Sequence, residues 1–303
     1  MLASAVRWFA SSSTTSIVVR SPATPPIFRY HEGKRTRKVS SPESQPLKAW
    51  KLTLEYDGSR YAGWQEQTNA RAVANELRKA AEEILGLRAD IMGAGRTDAG
   101  VHATGQVAHL KAQTRRSFAP EQLVRLLNEK LPADIAVLHA VEVPPKFHAR
   151  HDAIARVYEY RYSIRKTAFD KKYVWWIKQP LSLAPMRLAA GHLPGRHDFS
   201  LFRALDSAGP RESPLVQVHS ASVQQSGDLV LFQIEASHFL WRMVRRLAGT
   251  LARVGLGQLT PAQFKLLINA QPQPGCDPAE WTAPGAGLFL TQVKYPGDAG
   301  SRP

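Results

Sequence analysis

Two hydrophobic periods alternate along this chain, and the order in which they come narrows the folds open to it more than any other feature. Trp50 to Tyr56 (W-K-L-T-L-E-Y) puts Trp50, Leu52, Leu54 and Tyr56 on one face, the mark of a half-buried strand. Asp57-Gly58 ends it. From Ala70 the spacing becomes helical: Val73, Leu77, Ala80, Ile84 and Leu85 share a stripe that Gly86 closes. Ile91-Met92 lead into a glycine-rich segment. A strand follows at Gln106 to Ala112, a helix at Pro120 to Lys130, and a strand at Ile135 to Val143 before Pro144-Pro145. That succession, β-α-β-β-α-β, is the split βαβ arrangement of ferredoxin-like domains.

The second half nearly repeats it. Arg156 to Ile164 reads as a strand, with the apolar patch Tyr173 to Ile177 as a candidate for another, and Leu183 to His192 as a helix. Val216 to Val223 and Leu229 to Ala236 form a hairpin through Ser226-Gly227-Asp228. Phe239 to Val254 has the spacing of one long helix, and Gly287 to Tyr295 closes with a strand. Topology repeats while sequence does not. The expected fold class is therefore α+β: two related ferredoxin-like (βαββαβ) domains sharing a mainly antiparallel sheet, with helices packed on one side. The N-terminal domain is assigned to residues 48–150 and the C-terminal domain to 151–296, between a tail at 1–47 and a short one at 297–303.

The formal net charge of +15 points to a polyanionic partner, nucleic acid or an anionic membrane surface. No apolar run approaches the roughly 18 residues that span a bilayer, so an integral membrane protein is not expected. Cys276 is the only cysteine, which excludes an intrachain disulfide and a thiolate zinc site and suits a reducing compartment. Residues 1–47 are rich in Ser, Thr, Pro and Arg, with no acidic residue before Glu32. They read as a disordered basic tail or a start codon placed too far upstream, in a cytoplasmic protein. An organelle transit peptide is the alternative, and would direct the chain to a mitochondrion or plastid.

The residues with chemical potential concentrate in I-M-G-A-G-R-T-D-A-G-V-H-A-T-G-Q-V-A-H-L (91–110), where Gly93, Gly95, Gly100 and Gly105 surround Asp98. Arg96 lies two positions before Asp98, on the same side of an extended chain, and a guanidinium so placed favours the ionised carboxylate. Such an Asp suits a nucleophile or a base. An Asx-turn beside Ala99-Gly100 accounts for the same residues without chemistry. Elsewhere, Tyr158, Tyr160 and Tyr162 share one strand face, two of them expected in the core. Arg242, Arg245, Arg246 and Arg253 read as the solvated face of the helix whose buried stripe is Met243, Val244, Leu247, Leu251 and Val254. The pairs His148 and His151, or His192 and His197, lack the cysteine or acidic partners of a metal site. Trp175, Trp176 and Trp241 read as core or interface.

The segment G-R-T-D-A-G-V-H-A-T-G-Q-V (95–107) resembles the active-site signature of the TruA family of tRNA pseudouridine synthases. Further blocks follow in that family's order: E-Y-D-G-S-R-Y-A-G-W-Q (55–65), F-H-A-R (147–150), A-R-V-Y-E-Y (155–160), H-D-F (197–199), H-F-L-W-R-M-V-R (238–245) and G-L-F-L (287–290). The resemblance runs over about residues 50–296. It implies that Asp98 attacks the target uridine and lets the uracil detach, turn and rejoin through C5. It implies that Arg96 fills the gap left by the extruded base and pairs with the aspartate. Tyr158 matches the tyrosine that stacks on that base, Arg245 the basic residue contacting the aspartate, and Leu288 the apolar residue closing the pocket. It also implies a homodimer acting on the anticodon stem-loop of tRNA, at positions thirty-eight to forty. Extrusion of a stacked base costs a few kcal/mol, and the glycines would let the RNA backbone come close.

The chain departs from the family pattern at Leu201, where a second hydroxyl residue usually follows H-D-F-S, and at S-P-L-V-Q-V (213–218), where Arg-Thr-Ile is common. Both bear on RNA contacts or substrate range. No P-loop or dinucleotide fingerprint is present, and a redox-neutral isomerisation needs no cofactor. Two rivals remain at this stage. A non-catalytic RNA-binding module would not require the Arg-Thr-Asp signature. A glycosidase-like hydrolase would use paired carboxylates, and no partner for Asp98 stands out.

Overall fold

The computed structural model describes residues 45–67, 69–205 and 213–298. The expected tail at 1–47 thus lies outside the described residues up to position 44, as do most of 297–303 and part of the second departure's neighbourhood. Ten strands make one sheet. In chain order they are β1 (Leu47–Tyr56), β2 (Asp90–Gly93), β3 (His102–Gln113), β4 (Ile135–Val143), β5 (Ala155–Ser163), β6 (Trp175–Trp176), β7 (Gly195–Asp198), β8 (Leu215–Ser226), β9 (Leu229–Ala236) and β10 (Leu288–Lys294). The main order is β4-β1-β3-β10-β5-β9-β8-β7, with β2 paired to β3 and β6 to β5. The ferredoxin-like order can be traced twice within it, as β4-β1-β3-β2 and as β10-β5-β9-β8. Every pairing is antiparallel except β10 with β3 and β6 with β5.

The two sheets meet at one long strand. The C-terminal part of β3 pairs with β2, from Lys111 opposite Asp90 to Ala108 opposite Gly93. The N-terminal part takes β10 on the same edge, with His102 opposite Phe289 and Ala103 opposite Leu290. β2 and β10 therefore part company along β3, and the segment after Gly93 leaves the sheet at that fork. This is why β3 begins at His102 and not at the expected Gln106: the four extra residues are the seam between the halves.

Five helices cover the apolar face: α1 (Val73–Leu85), α2 (Pro120–Lys130), α3 (Leu183–Ala190), α4 (Met243–Gly255) and α5 (Pro261–Leu267). The core follows the expected alternation, with Trp50, Leu52, Leu54 and Tyr56 buried on β1 while Lys51, Thr53 and Glu55 are not. Tyr160 and Tyr162 are fully buried. Their hydroxyls donate to the carbonyls of Pro284 at 2.9 Å and Ala248 at 2.8 Å, so both belong to the core as expected.

Besides β3, other elements differ from the sequence reading, among them the short strand β7, which it did not place. α4 starts at Met243, four residues later than the expected Phe239, because Arg242 adopts φ 61° and ψ 4°. That left-handed geometry ends any helix running through it. α5 was not anticipated, although Thr260 and Gln263 form a full capping box around Pro261. The signal was there in T-P-A-Q.

Candidate active site

Asp98 stands in a loop tied down residue by residue. At its entry, the Ala94 N–H donates to the Val107 carbonyl at 2.7 Å, and Gln106 Nε2 donates to the Gly95 carbonyl at 2.9 Å. Thr97 is buried, with its hydroxyl 2.8 Å from the Tyr56 hydroxyl. The Trp64 N–H donates to the Thr97 carbonyl at 3.0 Å, and Gly63 bridges Asp98. At its exit, the Val101 N–H donates to the Asp98 carbonyl at 3.1 Å around Gly100, whose φ is +74°. That is a type II turn, which asks for glycine at its third position.

The four glycines have different causes. A Cβ on Gly105 would lie 2.1 Å from the Thr291 carbonyl oxygen, so this glycine lets β10 close on β3. A Cβ on Gly93 would enter the Trp64 ring at 2.5 Å. Only Gly95 faces the site, with the Tyr158 hydroxyl and Leu290 beyond it at 3.6 and 3.9 Å from a notional Cβ. Room for an incoming RNA backbone therefore explains at most Gly95, and protein packing or turn geometry explains the other three.

The carboxylate of Asp98 is held at both oxygens. Arg245 Nη1 lies 3.0 Å from Oδ2, and the indole N–H of Trp241 donates to Oδ1 at 3.0 Å. The Arg245 guanidinium is fixed from behind by its Nε donating to the Ala283 carbonyl at 2.8 Å. Both side chains of the ion pair are mostly covered, with 17% and 22% exposed. A charge-assisted bond in such surroundings is stronger than one in open solvent. Arg245 is thus turned inward from the first turn of α4. Arg246 also leaves the solvated face expected for it: it is half-buried and donates to the carbonyls of Leu201 and Arg203 at 3.4 and 2.7 Å. Desolvation lowers its pKa. Leu201, one of the departures from the family pattern, thus meets α4 next to Arg245.

Arg96 is placed otherwise than the sequence spacing suggests. It is exposed and makes no hydrogen bond or ion pair among the described residues. Thr97 turns into the protein between the two residues, and the Asp98 carboxylate swings toward α4. The guanidinium on Asp98 belongs to Arg245, 147 positions away in sequence.

Tyr158 lies under the loop, 7% exposed. Its ring meets Phe239 edge-on, with centroids 5.0 Å apart. Its hydroxyl makes no hydrogen bond among the described residues. Burial, with a smaller contribution from the nearby Asp98 charge, raises its pKa well above that of a free phenol, so it stays an uncharged aromatic surface. Leu288 is buried at the start of β10, opposite Tyr160, while Leu290 pairs with Tyr158 and sits next to Gly95. Sequence reading missed Phe239, Leu290 and above all Trp241, which had been placed in the core or an interface. Their membership in the blocks 238–245 and 287–290 was the available signal.

The suspected histidines serve other ends. His148 packs on His109 and His151, and His197 sits 3.0 Å from Asn269 Oδ1. Among the described residues no group of three or more His, Cys, Asp or Glu could hold a metal ion. A cavity of about 240 Å³ is lined by Arg161, Tyr173 and Phe289. Arg161 and Phe289 alternate with Tyr160, Tyr162 and Leu288 along β5 and β10, so the cavity opens on the opposite face of the sheet from α4.

The fold and this site, a carboxylate braced by an arginine above a buried tyrosine at the seam of two ferredoxin-like sheets, define the class of enzymes that isomerise uridine in RNA. The comparisons agree. The family profile described as tRNA pseudouridine synthase matches residues 53–152 and 189–296. A tRNA pseudouridine synthase A of Sinorhizobium fredii is 40% identical over 251 residues, covering 81% of this chain and 99% of that protein. Those of Myxococcus xanthus and Moorella thermoacetica are each 42% identical over 81% of this chain, covering 91% and 98% of their own lengths. The chain belongs to the TruA family of tRNA pseudouridine synthases.

Proposed function

We infer that this protein isomerises uridine to pseudouridine in tRNA, with Asp98 as the nucleophile. The observation that carries this reading is the doubly held carboxylate: Arg245 lies 3.0 Å from one oxygen and the Trp241 indole N–H 3.0 Å from the other, which fixes its plane. A free lone pair remains on each oxygen, and the reading places the substrate in the space that Gly95 leaves beside Tyr158 and Leu290. The target nucleotide enters that space after extrusion, an expense of a few kcal/mol. Arg96, exposed and uncommitted, is free to fill the gap left in the RNA. Tyr158 and Phe239 supply the aromatic wall for the uracil, and Leu288 and Leu290 the apolar floor. Asp98 bonds to the nucleotide as the bond from C1′ to N1 breaks, the freed uracil turns, and C1′ bonds to C5 as the bond to Asp98 breaks. A proton leaves C5 while N1 takes one up, which restores the carboxylate and leaves an isomer. The reaction neither gains nor loses electrons, so it calls for no cofactor.

The resemblance points to the anticodon stem-loop, at positions thirty-eight to forty, as the substrate site and to action as a homodimer. Residues 1–47 read as a basic tail point to the cytoplasm, and read as a transit peptide to a mitochondrion or plastid. The high positive charge favours a phosphate-rich partner, and tRNA affinity should fall steeply with salt as several ion contacts are lost together. The decisive experiment is tritium release from tRNA labelled at uridine C5. Asp98→Asn should bind tRNA almost as the wild type does and release no tritium above background. Normal affinity with tritium release by Asp98→Asn or Asp98→Ala would mean that the nucleophile lies elsewhere. Binding without release by the wild type would favour a non-catalytic RNA-binding module.

A further inference from the structure

Trp241 is an anomaly on physical grounds. A large aromatic side chain 45% exposed is common enough at a surface, but this one donates its indole N–H to the partly covered carboxylate of a catalytic loop. The residues on either side of the pair Trp241-Arg242 are buried, Leu240 at 4% and Met243 at 0% exposure. The Met243 N–H donates to the Leu240 carbonyl at 3.0 Å, so the chain makes a tight turn that pushes both intervening side chains outward. Arg242 accepts a left-handed backbone to do so, at φ 61°. Strain of that kind in a non-glycine residue collects at functional sites. Its guanidinium then lies over the Trp241 ring, 5.0 Å from the centroid. The Trp241 carbonyl is anchored in turn by the Ala204 N–H at 2.9 Å.

The strained turn therefore presents a flat indole whose edge holds Asp98 Oδ1 and whose surface is open to solvent next to a cation. Both properties suit RNA: bases stack on aromatic faces, and a guanidinium beside the stack meets the phosphate or joins by cation–π contact. We propose that Trp241 is a positioning residue for Asp98 and, with Arg242, the stacking surface for a nucleobase adjacent to the extruded uridine. The inference rests on the reading of Asp98 as a nucleophile acting on RNA. Its coupling is direct, because the ring that receives the neighbouring base is the ring that sets the carboxylate plane. A correctly seated RNA thereby orients the nucleophile, and a poorly seated one does not.

The two roles separate by substitution. Trp241→Phe keeps an aromatic face and removes the N–H, so it should leave tRNA affinity within about twofold and slow single-turnover tritium release about tenfold at saturating tRNA, as expected for one lost bond to a charged group. Trp241→Ala removes both and should also weaken tRNA binding about tenfold, the low end for one lost stack. A structural role alone would not divide the two variants in this way, and Trp241 is exposed enough that both should melt close to the wild type. A third readout is optical: part of the tryptophan fluorescence quenched by tRNA in the wild type should be missing in Trp241→Phe. Wild-type rate and affinity in both variants, or identical defects in both, would overturn the proposal. If Asp98→Asn remains inactive in the same assays, that failure leaves the nucleophile assignment standing. Should Asp98→Asn prove active, the underlying reading falls instead.

Discussion

The anchor of the catalytic loop can be tested by a pair of nearly isosteric changes, Tyr56→Phe and Thr97→Val. The two hydroxyls lie 2.8 Å apart inside the protein, with Thr97 6% and Tyr56 4% exposed. Burial raises the Tyr56 pKa to about 12, so the group is a neutral hydroxyl at every working pH. In Tyr56→Phe the Thr97 hydroxyl loses the only side-chain partner it has among the described residues. An unpaired buried hydroxyl costs about 1–3 kcal/mol. In Thr97→Val the Tyr56 hydroxyl still has Gln106 Nε2 at 3.4 Å, so the loss should sit at the lower end of that range. The double variant removes both hydroxyls and leaves only the Gln106 N–H that Tyr56→Phe already deprives of its 3.4 Å acceptor, so it should be no less stable than Tyr56→Phe alone. At about 2–4 °C per kcal/mol for a domain of this size, the single changes should lower Tm by several degrees and the double by no more. Urea denaturation of the four proteins closes the cycle. Losses that simply add would show that the hydroxyls do not depend on each other, and the account of how Thr97 is held would be wrong.

Further outcomes follow from the same geometry. Arg245→Met should cut tritium release about a hundredfold, a magnitude typical for loss of one electrostatic contact in a catalytic site. It should also lower Tm, because it leaves the mostly covered Asp98 carboxylate and the Ala283 carbonyl without this partner. Gly105→Ala should be severely destabilising, since its Cβ would meet the Thr291 carbonyl at 2.1 Å, whereas Gly100→Ala meets nothing within 4 Å and should lose only about 1 kcal/mol from its φ of +74°. His102, His109 and His148 all have pKa values lowered chiefly by burial. The unfolded chain therefore takes up protons first as pH falls through about 6.5. Stability from these groups should be complete above that pH and decline below it, and urea midpoints between pH 7.5 and 5 should show a shallower decline in His102→Gln.

Much of the fold was legible because burial on one face of a strand or helix imposes a period on the sequence. Trp50 to Tyr56 and Val73 to Leu85 could be placed from that period alone, as could the double βαββαβ order, and the long signature around Asp98 carried the family. What the period could not reveal was contact between distant parts of the chain. Phe239 to Arg242 has helical spacing, yet Arg242 breaks the helix to aim Trp241 at Asp98, and no local preference announces that turn. That Arg245 and not Arg96 holds Asp98 has the same origin: only the family resemblance pointed to Arg245, and no local spacing did. Proximity in sequence put Arg96 two residues from the carboxylate, but side-chain reach is decided by which way Thr97 packs, and Thr97 packs toward Tyr56 on another strand. The glycines show the division most plainly. Their number marked the segment as unusual, but a glycine's cause lies in the atom that a Cβ would strike. For Gly105 that atom is on β10, nearly two hundred residues further along, and only the folded chain brings it there.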